Sequence, residues 1–119
     1  AFEWILDKDP LHLSPEDENF IQRFVLAVFY FSTGGGSWDT CNAPVNVNNP
    51  NSCTSTSLIS SGSAWLTNSP ECNWGGIICG GGVTEIGLDF NGLNGTIPSE
   101  LQHLADLEVL SLLFNQLTG

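Results

Sequence analysis

Positive charge is almost missing from this chain. Lys8 and Arg23 stand against 13 acidic residues, giving a formal net charge of −11 over 119 residues. A nucleic-acid partner is excluded, because such binders need Lys and Arg to displace phosphate counterions. Direct binding to an anionic membrane surface is excluded by the same sign. Long hydrophobic runs are also missing. The longest, Phe24 to Phe31, falls far short of the ~20 residues that span a bilayer. Methionine is absent and Ala1 comes first, so the chain reads as a mature protein whose leader has been removed. No G-x-S-x-G elbow, phosphate loop, H-E-x-x-H or C-x-x-C occurs. The reading is therefore of a non-enzyme with no cofactor, no metal site and no catalytic residue. His12 and His103 are isolated, and the glycines at 34–36 and 80–82 read as turns.

Four cysteines are present: Cys41, Cys53, Cys72 and Cys79. An even count in a short acidic chain points to disulfides and to a secreted, extracellular or cell-surface location. Zinc is disfavoured, because the spacings leave eleven and six intervening residues where a zinc knuckle has about two to four. The mostly dispersed carboxylates read as solvated surface.

Organisation follows from pattern. Residues 1–13 read as an extended arm with apolar anchors Phe2, Trp4 and Ile5. Residues 14–82 read as a cap. Its helix is expected over 14–31, with Ser14 as N-cap, Pro15 at the first helical position and an acidic first turn. Phe20, Ile21, Phe24, Val25, Val28 and Phe31 form its core stripe, and Gly34-Gly35-Gly36 stops it. Residues 37–71 are loop-rich, with Trp38 and Trp65 expected to pin them to the core and a short helix expected over 57–65. A Cys41–Cys53 bridge would staple the Asn- and Pro-rich stretch between those cysteines, worth about 3 kcal/mol on the loop-entropy account.

Residues 83–119 repeat. Val83, Ile86, Leu88, Phe90, Asn91, Leu93 and Gly95 recur as Leu107, Leu110, Leu112, Phe114, Asn115, Leu117 and Gly119, each 24 residues on. This is the L-x-x-L-x-L-x-x-N-x-L pattern, whose period is about 20–29 residues. Residues 86 and 88 alternate as a short strand, and the Asn side chain can bond backbone groups as the chain turns away.

The segment Asn94-Gly95-Thr96-Ile97-Pro98 with Leu101 and Leu104 resembles the plant-type leucine-rich repeat. Trp65-Leu66 and Cys72-Asn73-Trp74-Gly75-Gly76-Ile77-Ile78-Cys79 resemble the N-terminal cap of those proteins, close to the family's C-x-W-x-G-V-x-C. Tyr30 to Trp38 is similar to caps of algal and plant members. The Cys41–Cys53 insert departs from that pattern. The resemblance implies a Cys72–Cys79 disulfide. Four cysteines allow three pairings, and proximity favours 41–53 with 72–79. It also implies an α/β fold: a right-handed leucine-rich-repeat solenoid with a helical, disulfide-stapled N-terminal cap.

A binding face is expected between the inward leucines: Glu85, Gly87, Asp89 and Phe90, then Val109, Ser111, Leu113 and Phe114. Glu85 and Asp89 do not make an acid–base pair, because an open sheet gives them no contrasting environments. Leu113 stands out as apolar where the repeat usually carries a polar residue, and exposed apolar patches mark interfaces. Asn94-Gly95-Thr96 is a glycosylation sequon. The expected function is an extracellular recognition module with a protein, peptide or glycan ligand on the concave strand face. The alternatives are a structural subunit of an extracellular assembly, such as a wall, adhesive or filament, or the ectodomain of a receptor kinase. Further repeats or another subunit are expected to cover the C-terminal end.

Overall fold

The chain's two cations meet different fates, and the buried one organises the N-terminal half. Arg23 is fully buried and grips Asp9 with two charge-assisted hydrogen bonds, Nε to Oδ2 at 2.6 Å and Nη2 to Oδ1 at 2.7 Å. A computed structural model describes residues 3–44, 53 and 62–118. In it the first segment is not an extended arm. Trp4–Lys8 forms a π-helical turn closed by the Asp9 N–H bonding the Trp4 carbonyl. Trp4 and Ile5 are buried, and the Asp9–Arg23 pair ties the turn to the first helix. Two apolar anchors and one ion pair draw the segment onto the core. Phe2, the other expected anchor, lies outside the described residues.

The helix α1 spans Phe20–Ser32 and starts six residues later than Ser14. The reason lies in the side chains of the expected first turn. Ser14 Oγ accepts from the Glu16 N–H, and Asp17 Oδ1 accepts from the Asn19 N–H. Such short-range bonds to the backbone two residues on compete with helix, and two successive turns result. The core stripe is also corrected. Phe20 and Val25 are buried, Phe24 and Val28 partly so, but Ile21 and Phe31 are exposed. The buried face is centred on Arg23, Leu26, Ala27 and Tyr30 at helical spacing, with Phe29 beside it. The glycine stop does act at the helix end: Gly34 adopts φ +68°, the left-handed conformation of a C-terminal cap.

Trp38 and Trp65 both enter the core. Trp65 is its hub, with ring centroids 5.0 Å from Trp38, 5.3 Å from Trp74 and 5.9 Å from Phe29. Its Nε1–H donates to the Gly75 carbonyl at 2.9 Å. The Tyr30 hydroxyl accepts from the Ala43 N–H. Burial pushes that phenol up from its ordinary value, against the opposing pull of the Ala43 donor. Residues 57–61 of the expected short helix lie outside the described residues. Residues 62–65 are not helical, and Ser63 instead forms a parallel bridge with Trp74.

Strand β1 (Ile77–Cys79) pairs antiparallel with β2 (Val83–Gly87), and β2 pairs in parallel with β4 (Val109–Ser111). Strand β3 (Asn94–Thr96) pairs in parallel with β5 (Gln116–Thr118). The β2–β4 register joins Glu85 to Val109, Ile86 to Leu110 and Gly87 to Ser111, so pairing follows the 24-residue spacing of the sequence repeat. Disulfides join Cys41 to Cys53 and Cys72 to Cys79. No helix among the described residues is long and apolar enough to cross a membrane.

The expected solenoid is not what forms. Solenoids grow along one axis, each repeat touching only its neighbours. Here one core holds Trp4, Phe29 and Trp65 together with Ile86, Leu88, Leu93 and Leu101 of the repeat segment. The Cα radius of gyration is 12.9 Å, with extents of 36 × 30 × 25 Å. A single globular domain of this length reaches about 13.5 Å. The fold is a small compact α/β unit with a three-stranded mixed sheet and a two-stranded parallel sheet. Two short coils do not extend far enough to set a long axis, and the larger helix-and-loop portion wraps the first of them.

Candidate binding face

Alternation along β2 turns Ile86 and Leu88 inward, both fully buried, and leaves Glu85, Gly87 and Asp89 on the other face. Register then places Val109 beside Glu85 and Ser111 beside Gly87. Beyond the strands the two coils stay clasped. The Leu88 N–H donates to the Ser111 carbonyl and the Phe90 N–H to the Leu113 carbonyl, each at 3.0 Å.

Asp89 acts as a clamp between the coils. Its carboxylate accepts from the Ser111 hydroxyl at 2.9 and 3.0 Å and from the Leu113 N–H at 2.7 Å. Those bonds engage both of its oxygens and fix the backbone that presents Leu113. Glu85 and Asp89 share a face, but Asp89 already serves as a structural acceptor.

The two repeated asparagines bond the backbone as the chain turns. Asn115 Oδ1 accepts from the N–H groups of Asn91 and Leu93, while its Nδ2 donates to the Leu88 carbonyl. Asn91, fully buried, exchanges two bonds with the Thr40 backbone. These turns force the preceding phenylalanines into the left-handed region, with φ +54° at Phe90 and +60° at Phe114. That conformation is costly for a bulky residue. It holds the two rings outward and stacked, with centroids 4.3 Å apart and planes 12° from parallel.

The face so assembled is apolar and exposed. Phe114 is 70 % exposed, Leu113 61 %, Phe90 56 % and Val109 45 %. Ile78 belongs to it as well. It pairs with Glu85 across β1–β2 and is exposed, completing the row Ile78–Glu85–Val109. Sequence reasoning missed it, although two adjacent isoleucines in a short strand must point to opposite sides. Ile77 takes the buried side. Leu6, Ile21 and Phe31 are also exposed, but they sit on the N-terminal turn and on α1.

The surroundings are electronegative. With Arg23 buried, Lys8 is the one Lys or Arg side chain at the surface, and it lies on the N-terminal turn. Asn94, the sequon residue, lies on β3, where all three residues are exposed. A separate cleft of about 310 Å³ lies between α1, the Gly81–Gly82 turn and residues 103–106. Glu18, His103 and Asp106 reach it, but among the described residues no three His, Cys, Asp or Glu groups come together to hold a metal ion. The chain matches no protein-family model, and no solved structure matches it.

Proposed function

We propose that this protein is an extracellular recognition module, and that its ligand is a basic and apolar peptide segment of another protein. The stacked Phe90–Phe114 pair beside Leu113 carries the reading. Two disulfides support the extracellular placement. Exposed aromatic residues next to an aliphatic side chain supply anchors of the kind that dominate binding energy. The surplus of carboxylates, with Glu85 in the face itself, supplies complementarity to Lys and Arg. Acidic self-repulsion also keeps an apolar patch from aggregating.

A second reading has its own observation. Leu110 is 38 % exposed, whereas its counterpart Ile86 is fully buried, and Leu117 is half-buried where Leu93 is buried. This outer edge of β4 and β5 suits a packing partner in an extracellular assembly.

Selection from a displayed random peptide library tests the first reading. The wild-type protein is expected to enrich sequences that combine Lys or Arg with aromatic or aliphatic residues. Leu113→Ser/Phe114→Ser is expected to weaken the selected peptides at least about tenfold, the usual signature of losing an anchor. Phe31→Ser, an exposed phenylalanine on α1, serves as the control and is expected to leave binding unchanged. Enrichment that the double variant does not affect, or no enrichment at all, contradicts the reading.

A further inference from the structure

Asn94-Gly95-Thr96 is the chain's only N-x-S/T triplet, and its residues differ in what the fold asks of them. Gly95 is demanded by the backbone: φ is +84°, and a Cβ there would meet the Ser32 carbonyl oxygen at 2.4 Å. The Thr96 carbonyl accepts from the Ser32 hydroxyl at 2.6 Å, joining β3 to the end of α1. Asn94 is different. Its backbone N–H donates to the Thr33 carbonyl at 3.1 Å, a bond any residue but proline makes. Its side chain is exposed and makes no hydrogen bond with the described residues. The repeated asparagines, Asn91 and Asn115, spend their amides on the backbone; Asn94 does not. Folding therefore explains Gly95 and engages Thr96, whereas the Asn94 carboxamide only lies against Gly34 and spends no hydrogen bond on the described residues.

We infer that Asn94 carries an N-linked glycan. In the oligosaccharide transfer, the Asn94 Nδ2 forms a bond to the anomeric carbon of a lipid-pyrophosphate-linked oligosaccharide. The bond from that carbon to the pyrophosphate oxygen breaks, the lipid pyrophosphate leaves with the electron pair, and one amide proton passes to a base of the host transferase. The triplet supplies the acceptor, and its Thr96 hydroxyl completes the recognition signal. Because α1 ends against β3, the glycan is rooted on the two-stranded sheet and not on the strands that carry Ile78, Glu85 and Val109. This inference rests on the extracellular placement proposed above.

The test is secretion of the full chain from a eukaryotic host behind an added leader, followed by intact mass before and after peptide-N-glycosidase treatment. The leader forces passage through the glycosylating compartment, so a negative result bears on Asn94 and not on natural localisation. Wild type is expected to be heavier than its polypeptide by one glycan, lost on enzyme treatment with conversion of Asn94 to Asp. Asn94→Gln and Thr96→Ala are expected to abolish the mass increment, and Thr96→Ser to retain it. Asn94→Gln alters an exposed, unbonded side chain, so its unfolding midpoint is expected to match that of deglycosylated wild type. A secreted wild type with no added mass, or a glycan that persists in Asn94→Gln, overturns the inference.

Discussion

Arg23→Ala is expected to cost about 3–5 kcal/mol, a large share of the stability of a domain this size. The Arg23 guanidinium is completely buried and has no solvent to replace its partners. It bonds both oxygens of Asp9, donates to the Thr67 carbonyl at 2.7 Å and the Ser69 carbonyl at 2.9 Å, and reaches Glu71 at 3.5 Å. It also lies 4.7 Å from the Trp74 ring centroid and 5.5 Å from that of Trp4. Removing it strands Asp9 and Glu71, both buried, without their counter-charge. It also frees the N-terminal turn and the segment before Cys72. Arg23→Lys is expected to recover little, because one ammonium cannot reproduce the planar fork that serves Asp9 and two carbonyls together. Because the pair is buried, salt should change the cost little. Urea unfolding of the three proteins reads these differences as midpoint shifts. Near-equal midpoints for wild type and Arg23→Ala would show that the ion cluster does not hold the N-terminal half.

Trp65→Ala is expected to have a comparable effect, about 3–5 kcal/mol. Trp65 is fully buried and touches aromatic rings from α1 (Phe29, Tyr30), from the following loop (Trp38) and from the Cys72–Cys79 segment (Trp74). Its truncation leaves a large cavity where three parts of the chain meet. Among its neighbours, Trp74 has a buried indole N–H with no partner among the described residues, and its position depends on packing. Trp65→Phe should lose less, keeping a ring but not the bond to the Gly75 carbonyl. Near-ultraviolet dichroism and urea unfolding report the loss. A cost below about 1 kcal/mol would mean that the core collapses around the gap and that Trp65 is not its hub.

Local, periodic features were the legible ones. The 24-residue spacing gave the β2–β4 register, and the recurring asparagines bond the backbone at the turns. Both expected disulfides form. Features set by distant partners were hidden. Arg23 looks like an interruption of an apolar stripe, and its burial depends on Asp9 and on Glu71, 48 residues away. The same partners turn an expected arm into a helical turn. Ser14 and Asp17 carry the residue types of a helix start, but their side chains close local turns, so α1 begins at Phe20. The overall shape was hidden for a related reason. Repeat spacing specifies how one coil lies on the next, whereas fusion of the first coil with a tryptophan-rich core decides that the molecule is compact and no solenoid. Of the candidate face, every expected strand-face residue lies on or next to the paired strands, and Ile78 was missed because it belongs to the cap.

A face built for a ligand leaves Leu113 and Phe114 surplus to folding. Urea unfolding of Leu113→Ser/Phe114→Ser beside wild type tests it most directly. Both side chains are more than half exposed, so the expected loss is at most about 1.5 kcal/mol, the worth of the stacked ring pair. A loss of about 3 kcal/mol or more, as for buried residues of their size, would show that the fold itself needs these side chains and would contradict the binding face.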